Sequence, residues 1–223
     1  MRANPGTRLA VSMAPSDAQP RRAGAARERI LETAYELFSR SGTRAVGVDT
    51  IIAESGVAKM TLYRNFASKD DLILEFLRRR DERWTRAWLQ AEVQRRADAP
   101  GERMLAIFDV FGEWFAREDF EGCAFINVML ELDDRGSRVR SACVEHLKAI
   151  RGFVRELALA AGVPEADADH VAAQWHILMK GSIVAAGEGD RLAASRAREL
   201  GGLLLAHRGV LQRAGGRVSS RAG

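Results

Sequence analysis

Apolar residues recur at helical spacing along most of the chain, and no stretch alternates with the period of two that indicates a strand. In the first predicted helix, Ile30, Ala34 and Phe38 share one face. Gly42 is typical of its end. Further helices are predicted over residues 101–117, 121–133, 136–162, 165–187 and 191–213. The pattern therefore predicts an all-α fold of about nine helices.

Two short helices follow the first one. Ile51 and Ile52 point inward in the second helix, and Gly56 ends it because glycine adopts the left-handed backbone conformation easily. Leu62 and Phe66, four residues apart, share one face of the third helix. Three helices, of which the second and third are joined by a tight turn, have the layout of a helix-turn-helix. The other faces of the third helix can contact water or a ligand that has many hydrogen-bond acceptors.

A fourth, long helix begins after Ser68 and links the two parts of the chain. Ser68 and Asp71 have the spacing at which a hydroxyl and a carboxylate satisfy the exposed backbone amides of a helix start. We expect a disordered tail over residues 1–24, a helix-turn-helix domain over 25–71, a larger helical domain over 72–213 and a disordered tail over 214–223. Either Met1 or Met13 is a candidate start.

The basic charge of the chain lies at its two ends. The net charge is +4, but residues 1–24 and residues 213–223 each carry three more positive than negative charges. The part between them therefore carries a small negative net charge. Global charge is consequently weak evidence for nucleic-acid binding.

No segment is predicted to span a membrane or to direct export. The most apolar run is interrupted by Lys180 and is shorter than the roughly 20 residues that a membrane helix needs. The N-terminus lacks the apolar centre of a secretory signal. Cys123 and Cys143 stand apart without a C-x-x-C pair, which is typical of reduced thiols in a cytoplasm. We therefore expect a cytoplasmic protein.

The run TIIAESGVAKMTLYRNFASKDDLI resembles the DNA-binding domain of transcriptional regulators of the TetR/AcrR family. The residues that carry the resemblance are Gly56, Val57, Thr61, Leu62, Tyr63, Phe66 and Lys69. It covers residues 25–75. From residue 76 onward, the chain is similar to the family in its helical layout. The segment GCAFINVMLEL also resembles part of the regulatory domain of many such proteins.

The resemblance implies that the third helix enters the major groove of double-stranded DNA. The residues implied to face base edges are Lys59, Met60, Thr61 and Arg64. Those implied to contact phosphates are Tyr63, Asn65 and Lys69, with Thr50 as a further candidate. The chemistry agrees, because lysine and arginine donate to guanine and the threonine methyl meets that of thymine. The alternative is that this polar face is merely solvated.

Two positions depart from the family pattern. Ala58 stands where the family often has a serine that caps the recognition helix, and Gly47 replaces a common threonine or serine before the second helix. A cap of this kind is worth about 1 kcal/mol, which is too little to overturn the fold.

The larger domain is rich in aromatic and methionine side chains, most of which are expected to be core. The resemblance implies a ligand cavity among these helices, as helical bundles commonly form. Candidate lining residues are Trp84, Trp88, Phe108, Phe111, Trp114, Phe125, Met129, Trp175 and Met179. The ligand is expected to be a small-molecule effector with an apolar body.

The last two helices carry more apolar surface than one neighbour can cover. The resemblance points to a four-helix interface between two copies of the chain. Candidate interface residues are Ile177, Gly181, Val184, Leu200, Leu203, Leu204, His207 and Leu211. A homodimer is therefore expected.

The expected function is that of a ligand-responsive repressor that binds a palindromic operator as a homodimer and is released by its effector. The alternatives are a DNA-binding regulator without a small-molecule ligand, which would have a fully packed larger domain, and an activator. An enzyme is not expected, because G-x-S-x-G, P-loop, G-x-G-x-x-G and H-E-x-x-H motifs are missing from the sequence. No cofactor and no metal are expected, since the four histidines lack the spacing of metal ligands.

Overall fold

The described part of the chain consists of helices and the turns and loops between them, and contains no strand. The computed structural model describes residues 18–210, apart from the side chains of residues 18–23, 86 and 87. The helices are α1 (Ala18–Ala45), α2 (Val48–Ser55), α3 (Lys59–Asn65), α4 (Lys69–Arg80), α5 (Ala91–Arg96), α6 (Pro100–Phe115), α7 (Ala124–Glu131), α8 (Arg138–Ala160), α9 (Glu165–Gly187) and α10 (Ala193–His207). A π-helical segment, Asp81–Gln90, joins α4 to α5, so that within residues 18–210 nine separate helical rods are present. The all-α prediction is confirmed.

Helix α1 differs from the prediction at its start and agrees with it at its end. It begins at Ala18, before the predicted boundary at residue 25. Pro20 lies in the first turn, where its missing N–H has no partner to lose, and the following alanine and arginine residues favour a helix. Gly42 leaves the helical conformation at φ 77° and ψ 162°, as expected of a glycine near a helix end. The remaining tail residues, 1–17 and 211–223, lie outside the described part of the chain.

The fourth helix is continuous but is not α-helical along its whole length. The residues at both junctions of the π segment, Asp81 and Ala91, keep helical backbone angles. Between them the hydrogen bonds run from i to i+5, where the sequence predicted ordinary α-helix. In this wider winding Trp84 and Trp88 meet edge to face, with ring centroids 5.1 Å apart.

Two apolar clusters hold these helices together. The first joins α1 to α4 through Ile30, Leu62 and Phe76 and continues into Phe125 of α7 and Val139 of α8. The second fills the larger unit between α6, α8, α9 and α10. Because the first cluster includes residues of α7 and α8, the N-terminal unit shares its core with the larger one.

Polar contacts reinforce the joint between the two units. The Glu131 carboxylate at the end of α7 accepts hydrogen bonds from the Thr43 hydroxyl at 2.7 Å and from the Arg44 backbone N–H at 2.8 Å. A Cβ atom at Gly42 would lie 2.4 Å from the same carboxylate. Arg138 of α8 is 3.0 Å from Asp71 in α4. The end of α1 and the start of α4 are therefore both tied to the larger unit.

Candidate functional site

Helix α3 is held by one edge and exposes the other. Leu62 is 1% exposed and Phe66 is 3% exposed, and the Arg27 guanidinium lies 5.0 Å from the Phe66 ring centroid. Met60 and Tyr63, in contrast, are 65% and 42% exposed. Exposed apolar and aromatic groups beside charged ones are available to a partner rather than to the core.

The residues predicted to contact DNA lie on or beside this exposed face. The exposed ones are Thr50, Lys59, Met60, Tyr63 and Arg64, and the half-buried ones are Thr61, Asn65 and Lys69. The Lys59 ammonium is 3.7 Å from an Asp49 carboxylate oxygen, a pair that leaves both groups largely exposed. The Asn65 amide donates to the Thr61 carbonyl at 2.7 Å, so this donor is already used inside α3. Asn65 is therefore the least available of the predicted phosphate contacts.

The caps of α2 and α3 are as weak as the sequence predicted. Ala58 precedes α3 and Gly47 precedes α2 in extended conformations, and neither provides a side-chain hydrogen bond to its helix. Helix α4 has a complete cap, because the Ser68 hydroxyl accepts from the Asp71 N–H at 3.1 Å and donates to the Asp71 carboxylate at 2.8 Å. Hydrogen bonds from Ser68 and Arg138 lower the pKa of Asp71. Lys69 lies in the first turn of this firmly capped helix.

An apolar cavity of about 90 Å³ lies between the π segment and helices α6 to α9. Six of the predicted residues line it, namely Trp84, Trp88, Phe111, Trp114, Phe125 and Met179. Three others do not. Phe108 and Trp175 pack against each other in the core with ring centroids 5.3 Å apart, and Met129 packs against the N-terminal cluster. These three predicted residues therefore do not line this cavity, because composition cannot distinguish an apolar side chain of the core from one of a cavity wall.

Several polar residues of the wall escaped the sequence analysis. They are Arg80, Thr85, Cys123, His146 and Lys180. Arg80 precedes Trp84 by four residues and Trp88 by eight, which is the spacing of one helix face. That spacing is the sequence signal from which Arg80 could have been predicted to lie on the same helix face as the two tryptophans.

Burial sets the protonation of two groups at the cavity. The pKa of His176 is lowered to about 4, first by burial and then by the charge of Lys180, so this imidazole is neutral at pH 7. Burial raises the pKa of the Cys123 thiol, which keeps it protonated. The cavity therefore contains neither an imidazolium at position 176 nor a thiolate at position 123 under ordinary conditions.

Most of the predicted interface residues of α9 and α10 are exposed. Ile177, Val184, Leu200 and Leu203 are each more than half exposed. Gly181 and His207 are also exposed, Leu204 is half-buried against the core, and Leu211 lies outside the described residues. Four large apolar side chains exposed on two adjacent helices form a surface of the kind that a partner covers.

Residues 18–210 contain no helix that is long and apolar enough to cross a membrane. In the same part of the chain, no three His, Cys, Asp or Glu side chains are grouped closely enough to hold a metal ion.

Two family models match the chain. Residues 30–76 match the bacterial regulatory proteins of the tetR family, and residues 100–200 match the tetracyclin repressor-like C-terminal domain. The chain is 27% identical over 163 residues to the HTH-type transcriptional regulator LmrA of Bacillus subtilis, covering 72% of this chain and 86% of that protein. It is 31% identical over 68 residues to the HTH-type transcriptional regulator QacR of Staphylococcus aureus, covering 30% of this chain and 36% of that protein.

Solved structures agree with these matches. A TetR-family regulator from Streptomyces coelicolor superposes with a TM-score of 0.73 at 28% identity, covering 83% of this chain and 96% of that one. A TetR regulator from Chloroflexus aurantiacus gives a TM-score of 0.71 at 26% identity, covering 84% and 98%. The chain thus belongs to the TetR family of transcriptional regulators, and α2 and α3 form its DNA-binding helix-turn-helix.

Proposed function

We propose that the protein is a homodimeric repressor that binds a palindromic operator and leaves it when a small molecule enters the cavity. One observation carries this proposal. The rod formed by α4, the π segment and α5 begins at Lys69, beside the exposed face of α3, and lines the cavity through Trp84 and Trp88. The same element therefore touches both sites.

The dimer provides the reason for a palindromic operator. Two copies related by a two-fold axis present two recognition helices, which reach successive major grooves when they are about 34–36 Å apart. The exposed apolar residues of α9 and α10 supply the surface for this pairing. A ligand that prefers a conformation with a different spacing lowers operator affinity, because binding of the two partners is linked.

The cavity argues against the alternative of a DNA-binding regulator that has no small-molecule ligand. Such a protein would have a larger domain packed throughout. An apolar space walled by three tryptophans favours a ligand-responsive regulator instead.

Selection of genomic fragments by the purified protein tests the proposal. We expect a palindromic sequence to be enriched, and we expect the double substitution of Lys59 and Arg64 by glutamine to abolish the enrichment. A screen of small molecules for release of the selected fragment follows. Binding that does not distinguish any fragment from random DNA at low ionic strength would refute the proposed function.

A further inference from the structure

We propose that the effector is a small aryl acid, whose single ring occupies the aromatic part of the cavity and whose anionic oxygen group binds Arg80. This inference rests on the proposed function of the cavity as an effector site. It adds the charge, size and hydrogen-bonding chemistry of the ligand.

Arg80 is a buried cation without a carboxylate partner. It is 8% exposed, and its guanidinium donates to the Tyr35 hydroxyl at 3.0 Å. It also lies 5.0 Å from the ring centroid of Trp84. Within residues 18–210, no Asp or Glu forms an ion pair with it. Buried charges in proteins are normally paired, so Arg80 retains the capacity to pair with an anion.

Two acidic residues, Asp119 and Glu121, interact electrostatically with Arg80 without forming an ion pair with it. Asp119 is paired with Arg117 at 2.7 Å. Burial raises the pKa of Glu121, because the charged carboxylate is poorly solvated there. Arginine has five N–H donors, and the bond to Tyr35 uses one of them. The guanidinium therefore keeps donors for a ligand.

The sign of the surrounding charge favours an anion over a cation. Arg80 and Lys180 line the cavity, whereas its described wall includes no Asp or Glu. The Arg117 guanidinium lies 5.1 Å from the Trp84 ring centroid, so cations already occupy the neighbourhood of this ring. His146 is 3.1 Å from Asp81, and His176 is neutral at pH 7. A positively charged ligand would meet the charges of Arg80 and Lys180, and no carboxylate of the described wall would contact it directly.

The Trp114 side chain lines the cavity and has a buried indole N–H. Its ring lines the space and is 8% exposed, and its indole N–H has no hydrogen-bond partner in the described part of the chain. Buried tryptophan N–H groups usually find an acceptor. An acceptor oxygen of a ligand reaches this buried indole nitrogen only if the Trp114 ring shifts, so Arg80 is the donor on which the inference rests.

The size and lining of the cavity limit the rest of the ligand. Its volume of about 90 Å³ is smaller than the roughly 150 Å³ of an engineered apolar cavity that binds benzene. A body of one ring therefore enters only with some side-chain movement, and a larger body needs more. The rings of Trp84, Trp88, Phe111 and Phe125 offer flat apolar faces to such a body.

Three probes of nearly equal shape test the charge of the ligand: benzoate, benzamide and benzylammonium. Their affinities are measured at constant ionic strength by calorimetry and by quenching of tryptophan fluorescence. We expect benzoate to bind about tenfold or more tightly than either of the others, since a charge-assisted hydrogen bond is roughly twice as strong as a neutral one. Equal or tighter binding of benzylammonium, or no saturable binding of benzoate up to its solubility limit, would overturn the inference.

Substitution of Arg80 tests its role. Arg80→Met is expected to weaken benzoate binding about tenfold and to leave benzamide nearly unchanged. Arg83→Met is the matched control, because Arg83 also stacks on the Tyr35 ring, at 5.0 Å, but does not line the cavity. If Arg80→Met does not fold, Arg80→Lys keeps the charge but loses the fork of donors and is expected to bind benzoate with intermediate affinity. Unchanged benzoate affinity in a folded Arg80 variant contradicts the inference.

The same samples separate this inference from the proposed function. Benzoate binding that depends on Arg80 but does not alter operator affinity supports the inference and refutes ligand-induced release. Release of the operator by benzylammonium or benzamide, without Arg80-dependent binding of benzoate, supports the function and refutes the inference.

Discussion

Lys69 and Arg64 lie close together in the sequence but are predicted to serve DNA binding in different ways. Lys69 occupies the first turn of α4, where free backbone amides and the positive end of the helix favour a phosphate. Arg64 is exposed on α3, where its guanidinium can reach base edges. Affinity and sequence preference are therefore expected to depend on different side chains.

Substitution of each residue by glutamine distinguishes these roles. Lys69→Gln is expected to weaken binding to all sequences and to reduce the slope of log affinity against log salt by about 1, because one phosphate contact is lost. Arg64→Gln is expected to relax the preference at one base pair in each half-site at a cost of about 1–3 kcal/mol. Fluorescence anisotropy with operator variants at several salt concentrations measures both. An unchanged salt slope would remove Lys69 from the interface.

Single residues also show where sequence reasoning fails. Arg80 ends a run of three arginines, and such a run normally indicates a solvated face. In the fold it is buried and donates a hydrogen bond to Tyr35, which is distant in the sequence. The spacing of Arg80, Trp84 and Trp88 places all three on one helix face but contains no information about that long-range contact.

Helices α3 and α4 differ in how firmly they begin, and this difference is testable. Ser68→Ala removes a cap that makes two hydrogen bonds and is expected to cost about 1 kcal/mol of unfolding free energy. Ala58→Ser adds a cap to α3 and is expected to gain a similar amount, since Ala58 already has the extended conformation of a capping residue. Urea denaturation measures both changes. Equal stability of the wild type and Ala58→Ser would mean that the start of α3 is satisfied by other groups.

At the scale of elements, helix type and order were predictable and helix winding was not. The apolar spacing of α6, α8, α9 and α10 gave their approximate bounds, because burial of one face dominates their stability. In contrast, the pair Trp84 and Trp88 suits an α-helix as well as a π-helix, since both windings bring positions four apart to the same side. The spacing alone does not encode the choice between them.

The outward surface of α9 and α10 decides the behaviour of the whole molecule. Leu203 and Ile177 are 63% and 65% exposed, so a charge at either position is compatible with the folded subunit. Leu203→Glu is expected to produce monomers, because a carboxylate is costly to bury in an apolar interface. It is also expected to reduce operator affinity strongly, since one recognition helix then binds without its partner.

Sedimentation velocity measures the oligomeric state of this variant. Leu130→Glu is the matched control, because Leu130 is 73% exposed on α7, away from the proposed interface, and is expected to remain dimeric. A stable dimer of the Leu203 variant, with the same affinity for the operator, would place the interface on another surface.

The contact of Gly42 with Glu131 has a consequence for the modularity of this molecule. The glycine has no side chain to obstruct the carboxylate, and the carboxylate fastens the two residues that follow the glycine. A hybrid regulator that takes its DNA-binding domain from a relative would keep these hydrogen bonds only if the domain has glycine at position 42 and the larger unit has glutamate at position 131. The two units can thus be exchanged between relatives only where the residues that form this contact are present on both sides.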